Sequence, residues 1–216
     1  MKEFKVIFWD FDGVIKDSVK VKSEAYIELF EPYDSAIADR IRKHHEANGG
    51  ISRYEKVPLY LEWAGLQTTA ANINNFCAKF STLVFQAVID APWVPGVKDY
   101  LLAHYQQQVF ILVSATPNDE IVDILEALEI FRLFQRVYGA PTPKDQAIAE
   151  VLKEQGCPPG RALMIGDSES DMMAAQTNRV SFLLRRTAEN HALQNRFVGP
   201  KIDDFLTPNW DILWTD

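Results

Sequence analysis

Cysteine is scarce. Cys77 and Cys157 are the only two in 216 residues, far apart and in neither a metal-binding nor a redox spacing. That excludes a disulfide scaffold and suits a reducing compartment. Basic blocks are also missing: 22 Lys and Arg stand against 30 Asp and Glu, for a formal net charge of -8. Such a field repels nucleic acid and anionic membranes. No apolar run is long enough to span a bilayer, and the opening "MKEFKVIFWDFDG" holds no acid-free apolar segment of the kind an export signal carries. These absences predict a cytoplasmic protein with no nucleic-acid and no membrane partner. Internal repeats and low-complexity stretches are lacking too.

What is present is ordinary for a globular chain, 47% apolar and 24% charged residues. Five short apolar runs read as strands: "VIFWDFDGVI" from Val6, "VFILVSA" from Val109, "RVYGA" from Arg136, "RALMIGDS" from Arg161 and "VSFLLRR" from Val180. Runs apolar on both faces are what a parallel sheet covered by helices requires. Between the later ones lie helical patterns from Asp119, Lys144 and Ser170. The alternation predicts an α/β fold, a Rossmann-like doubly wound parallel sheet whose ligands bind at the carboxyl ends of the strands, where Asp10, Ser114 and Asp167 fall. From about Asp17 to Ala91 there is no convincing strand, only helical patterns punctuated by Pro32 and "NGG". The reading is a core of residues 1–16 and 92–216 with an inserted α-helical cap over 17–91, re-entering the core at "APWVPGV". The tail from Gly199 is expected to wrap the core through Phe205, Leu206 and Trp210.

Two carboxylates, Asp10 and Asp12, end the first apolar run. On a strand, residues two apart point the same way, so both would face one spot. Like charges there repel unless a cation lies between them or their protonation states differ. A divalent metal satisfies the first condition; one nucleophile and one general acid/base satisfy the second. A plain turn before Gly13 is the bland alternative. A second acidic cluster, Asp167 and Asp171 in "LMIGDSESDMMAA", sits at the start of a helix, where capping alone explains either residue but not two strands that both end this way. Such oxygen-rich sites suit Mg²⁺.

Together "DFDGVIKDS", "ILVSAT", "PTPKDQAI" and "MIGDSESDMMAA" resemble, in order, the four motifs of the haloacid dehalogenase superfamily, in particular its phosphatases with a helical cap. The resemblance implies that Asp10 is the nucleophile forming an aspartyl-phosphate and that Asp12 is the acid/base. Ser114 and the Ala115 N–H would hold the phosphoryl group, and Lys144 would offset its charge. It implies Mg²⁺ held by Asp10, the Asp12 carbonyl and Asp167, with Asp171 acting through a metal-bound water or orienting Lys144. Lys144 follows "PTP", whereas in many relatives the lysine precedes the proline. Glu169 reads as a solvated first-turn residue.

The cap stretch "HHEANGGISRYEKV" resembles the specificity loop of β-phosphoglucomutase-like and phosphoglycolate phosphatase-like relatives. Ser52 is expected to cap a helix from Arg53. Arg53, and more weakly Lys56, would hold a carboxylate or second phosphate of the substrate; the alternative is that both are solvated helix residues. His44 and His45 are adjacent, share no helix face and read as surface or packing residues. Phe76, Phe80 and Phe85 read as cap core. Trp9, Trp63 and Trp93 read as packing groups, with Trp9 and Trp93 candidates for the edge of the cleft.

The expectation is therefore a Mg²⁺-dependent phosphatase acting on a small-molecule phosphate ester: a sugar phosphate, sugar-acid phosphate or phosphoglycolate. The rivals are a phosphomutase using the same residues and a non-catalytic phosphometabolite-binding module. The sequence leaves the oligomeric state open.

Overall fold

The computed structural model describes residues 4–33 and 35–206. Strands β1 (Val6–Trp9), β2 (Val109–Pro117), β3 (Arg136–Ala140), β4 (Ala162–Gly166), β5 (Ser181–Arg185) and β6 (Lys201–Ile202) form one sheet in the order β3-β2-β1-β4-β5-β6. Every pairing is parallel, and Val6 lies between Val109 and Ala162 in register. The strand order reverses at β1, which places the natural binding crevice of a doubly wound sheet at its carboxyl end.

Strand periodicity divides the core into two layers. Ile7 and Trp9 of β1 join Leu112, Leu163, Ile165 and Leu183 on one face. Val6 and Phe8 join Ile111, Val113, Met164 and Leu184 on the other. Both faces are buried, so these strands are apolar throughout. The covering helices are α5 (Val97–His104), α6 (Asn118–Ala127), α7 (Lys144–Glu154), α8 (Glu169–Asn178) and α9 (His191–Arg196); four others, α1 (Val19–Phe30), α2 (Ser35–Ala47), α3 (Arg53–Trp63) and α4 (Ala70–Asp90), form an insert between β1 and α5.

Aromatic rings hold the insert together. Tyr26 stacks on Phe80 with centroids 3.9 Å apart, Phe30 stacks on Phe76 at 5.1 Å, and Tyr60 meets Tyr26 edge-on at 5.2 Å. Phe85 is half-buried against the same cluster. The two linkers to the insert pair with each other: Asp17 N donates to the Pro92 carbonyl at 2.8 Å and Val94 N to the Ile15 carbonyl at 3.0 Å. Lys16 Nζ crosses this joint to the Ile89 carbonyl at 2.9 Å, 4.5 Å from the Trp93 ring.

Two expectations are corrected, for Leu206 and for Trp9. Leu206 is 65% exposed, whereas Phe205 is buried against Trp9; Trp210 lies outside the described residues. Trp9 packs among Tyr100, Phe110 and Phe205 in the core and does not edge the crevice. Cys77 and Cys157 are buried and unpaired. Among the described residues no helix is long and apolar enough to cross a membrane.

Candidate active site

The site lies where β1, β2 and β4 end. β1 stops at Trp9, and the following loop curls so that Ile15 N and Lys16 N both return to the Phe11 carbonyl, at 2.8 and 3.1 Å. Asp10 and Asp12 therefore sit beyond the strand, and its alternation does not aim them. Asp10 Oδ1 lies 2.9 Å from Lys144 Nζ. Asp12 turns to the insert: its Oδ2 is 2.5 Å from Lys22 Nζ, and its Oδ1 accepts from Ser18 Oγ at 2.6 Å.

Burial and Asp171 push the Asp10 carboxyl up to about 7, with Lys144 pulling the other way. For Asp12 burial also acts upward, but the attraction and hydrogen bond of Lys22 outweigh it and hold the carboxyl below its ordinary range. Lys22 also donates to Thr116 Oγ1 at 2.8 Å. Lys22 lies outside the four motifs, and Thr116, the last residue of "ILVSAT", is given no role by them. The available signal for Lys22 is its place four residues after Ser18, the N-cap of α1, one helical turn on.

Ser114 is buried near the end of β2, its Oγ accepting from Thr116 N at 3.1 Å. Ala115 lines the same crevice as Asp10 and Asp12. Lys144, the first residue of α7, reaches both Asp10 and Asp171, the latter at 2.5 Å; following "PTP" does not shorten its reach. Burial opposes its charge, yet the two carboxylates raise its pKa above the ordinary lysine value.

Ser168 caps α8, and Asp171 completes a reciprocal box with it: Asp171 Oδ2 accepts from Ser168 N at 3.1 Å and from Ser168 Oγ at 2.6 Å. Both oxygens of Asp171 thus have protein donors. Asp167 differs, since its carboxylate has no hydrogen bond or ion pair among the described residues. Burial, then Asp10 and Asp171, drive its pKa well above the carboxylate range. Oxygens of Asp10, Asp167 and Asp171 come within 4.8 Å of one another. Three buried carboxylates facing one lysine leave negative charge uncompensated, and a hard divalent cation fits that deficit. Gly13, at φ +74°, is what lets the loop lie against Asp167: an added Cβ would fall 2.3 Å from Asp167 Oδ2. Glu169 is half-exposed and pairs with Arg196 at 2.5 Å, as its solvated reading anticipates.

From the insert, Ser52 caps α3, accepting from Tyr54 N. Arg53 and Lys56 are 4% and 2% exposed, which overturns the solvated alternative for both. Arg53 forms a bidentate ion pair with Glu120 of α6. Lys56 Nζ lies 3.0 Å from His45 Nδ1, and burial with Lys22 pushes it down to about 7. His44 bonds Tyr60 Oη at 3.0 Å, on another face from His45. Gly50 rests on the core, its carbonyl accepting from Ser170 Oγ at 3.2 Å.

Two clefts meet at Asp12, one of about 30 Å³ beside Arg53 and Lys56 and one of about 20 Å³ that also touches Asp10 and Asp167, with Lys22, His45, Gly49 and Ala115 in both linings. That is room for a water or two, so a larger ligand requires the insert to move. A cavity of about 320 Å³ adjoins Asp167, between Glu46 of the insert and Asn190 and Arg196 of the core.

The family described as haloacid dehalogenase-like hydrolase matches residues 6–184. A phosphoglycolate phosphatase of Pseudomonas fluorescens is 31% identical over 103 residues, 45% of this chain but only 38% of that protein. A phosphorylated carbohydrates phosphatase of Thermotoga maritima is 23% identical over 181 residues, covering 80% of this chain and 81% of the relative. The solved structure of a predicted phosphoglycolate phosphatase from Haemophilus somnus superposes with a TM-score of 0.74 at 20% identity, covering 95% of this chain and 96% of that one.

Proposed function

Because the chain belongs to the family of haloacid dehalogenase-like hydrolases, we propose that it is a phosphoric monoester hydrolase working through an aspartyl-phosphate on Asp10. The observation that carries this is the set of groups around Asp10: Lys144 at 2.9 Å, with the Asp167 carboxylate beside it unpaired among the described residues. An Asp10 oxygen attacks phosphorus, and the bond to the ester oxygen breaks. Asp12 gives that oxygen its proton, then takes one from the water that attacks the aspartyl-phosphate, releasing phosphate and restoring Asp10. Ser114 and the Ala115 N–H bind the phosphoryl oxygens, while Lys144 offsets their charge. Asp171, with both oxygens engaged, positions Lys144.

Asp10, Asp167 and the Asp12 carbonyl would hold Mg²⁺, with Asp171 as a further donor, and the bound ion would neutralise charge on nucleophile and phosphoryl group. Residues 17–91 act as a cap that opens at the paired linkers to admit the ester and then excludes water. Arg53 and Lys56 line the space left for the leaving group. The substrate is a small phosphomonoester of the sugar phosphate, sugar-acid phosphate or phosphoglycolate kind, met in a reducing compartment such as the cytoplasm, which suits the two free thiols.

The test is phosphate release from a panel of such esters with Mg²⁺ and with EDTA. Metal-dependent release supports the reading. Isomerisation of a hexose phosphate without net release would replace it with a mutase, and binding without either reaction with a non-catalytic module.

A further inference from the structure

Arg53, at the start of α3, and Glu120, in the first turn of α6, join insert to core by two hydrogen bonds: Nη1 to Oε2 at 2.8 Å and Nη2 to Oε1 at 2.5 Å. The side chains are 3% and 9% exposed. Nη1 also donates to Ser81 Oγ at 2.5 Å, and the guanidinium lies 4.7 Å from the Phe80 ring centroid. Most of the guanidinium fork is therefore occupied, and its charge is cancelled. Elsewhere in the same chamber Asp12 cancels Lys22. Tyr26, Gly49, Ile51, Phe80, Ala115 and Thr116 add no charge to the lining.

Lys56 is the remaining cation of that lining. As an ammonium it can donate to His45 Nδ1, 3.0 Å away, and to the Gly49 carbonyl at 3.4 Å, which leaves one N–H for a ligand. With its pKa lowered to about 7, it carries less than a full charge near neutrality.

We propose that Glu120 is a specificity-determining residue: by occupying Arg53 it withholds the chamber's planar anion receptor, so that the site takes phosphomonoesters with an uncharged, hydroxylated leaving group over those ending in a carboxylate or second phosphate. The proposal rests on the phosphatase reading and narrows its substrate class. A distal anion must displace Glu120 from a buried pair and leave that carboxylate unpaired. A leaving-group hydroxyl needs only the free N–H of Lys56.

The experiment compares kcat/KM for glycerol 2-phosphate and phosphoglycolate on the wild type and on Glu120→Gln. The wild type favours glycerol 2-phosphate, and Glu120→Gln raises the phosphoglycolate-to-glycerol-2-phosphate ratio about tenfold or more, through a lower KM for phosphoglycolate. Adding Arg53→Gln to that variant removes the gain. A wild-type preference for phosphoglycolate, or an unchanged ratio in Glu120→Gln whether or not both activities fall, overturns the proposal. Calorimetric titration of Asp10→Asn, with and without Glu120→Gln, repeats the comparison without turnover. If neither ester is hydrolysed but the binding preference and its shift are seen, the hydrolase reading fails and the role of Glu120 stands; equal binding of the two esters overturns that role.

Discussion

Lys22 Nζ lies 2.5 Å from Asp12 Oδ2, tying the first helix of the insert to the loop after β1. Burial alone would raise the Asp12 carboxyl, and Lys22 with Ser18 holds it below the usual range. Lys22→Met therefore raises it. In the proposed mechanism Asp12 must be ionised to take a proton from water, so the acidic limb of the kcat profile is expected to move to higher pH and kcat near neutrality to fall by about 10- to 100-fold. Kinetics across pH on the two proteins check this; an unmoved limb would separate Lys22 from the acid/base.

Asp10 gives a stability prediction. Its carboxyl is raised to about 7, chiefly by burial and Asp171. Between the unfolded value, about 4, and that folded value, the native state binds the proton more tightly than the unfolded chain does. Metal-free stability therefore falls as pH climbs through this window. Asp10→Asn lacks the penalty, so its metal-free Tm should exceed that of the wild type by several degrees at about pH 8 and the gap should close near pH 4. Mg²⁺ should raise the wild-type Tm at the higher pH. Thermal melts in EDTA and in Mg²⁺ decide it.

Gly13 and Asp167 make a linked pair. Gly13→Ala puts a side chain at φ +74° and a Cβ 2.3 Å from Asp167 Oδ2. The strain costs about 1–3 kcal/mol, and the displaced carboxylate raises the Mg²⁺ concentration for half-maximal activity about tenfold or more. Asp167→Asn should show the same metal phenotype with little loss of stability, since its carboxylate has no hydrogen-bond or ion-pair partner among the described residues. Mg²⁺ titrations and denaturant melts separate the two effects.

The strands were legible because burial on both faces makes them apolar throughout, and the site because its acids cluster at strand ends. The sixth strand, Lys201–Ile202, is two residues long and carries no periodicity to read; α5 and α9, eight and six residues long, are similarly brief. Expecting Asp10 and Asp12 to point together assumed that β1 continues to Asp12. The turn back to the Phe11 carbonyl sends them to different partners. Arg53 was singled out as an anion receptor, but Glu120 is 67 residues away and nothing local couples them. Long-range pairs of this kind, with Lys22–Thr116, are set by how the insert docks.

The most direct test is to quench turnover in acid and map the adduct by mass spectrometry. A phosphoryl group on Asp10, formed with Mg²⁺ and a hydrolysable ester and absent from Asp10→Asn and from EDTA-treated protein, is the predicted result. Sustained phosphate release by Asp10→Asn, or an adduct on another residue, would contradict Asp10 as the nucleophile.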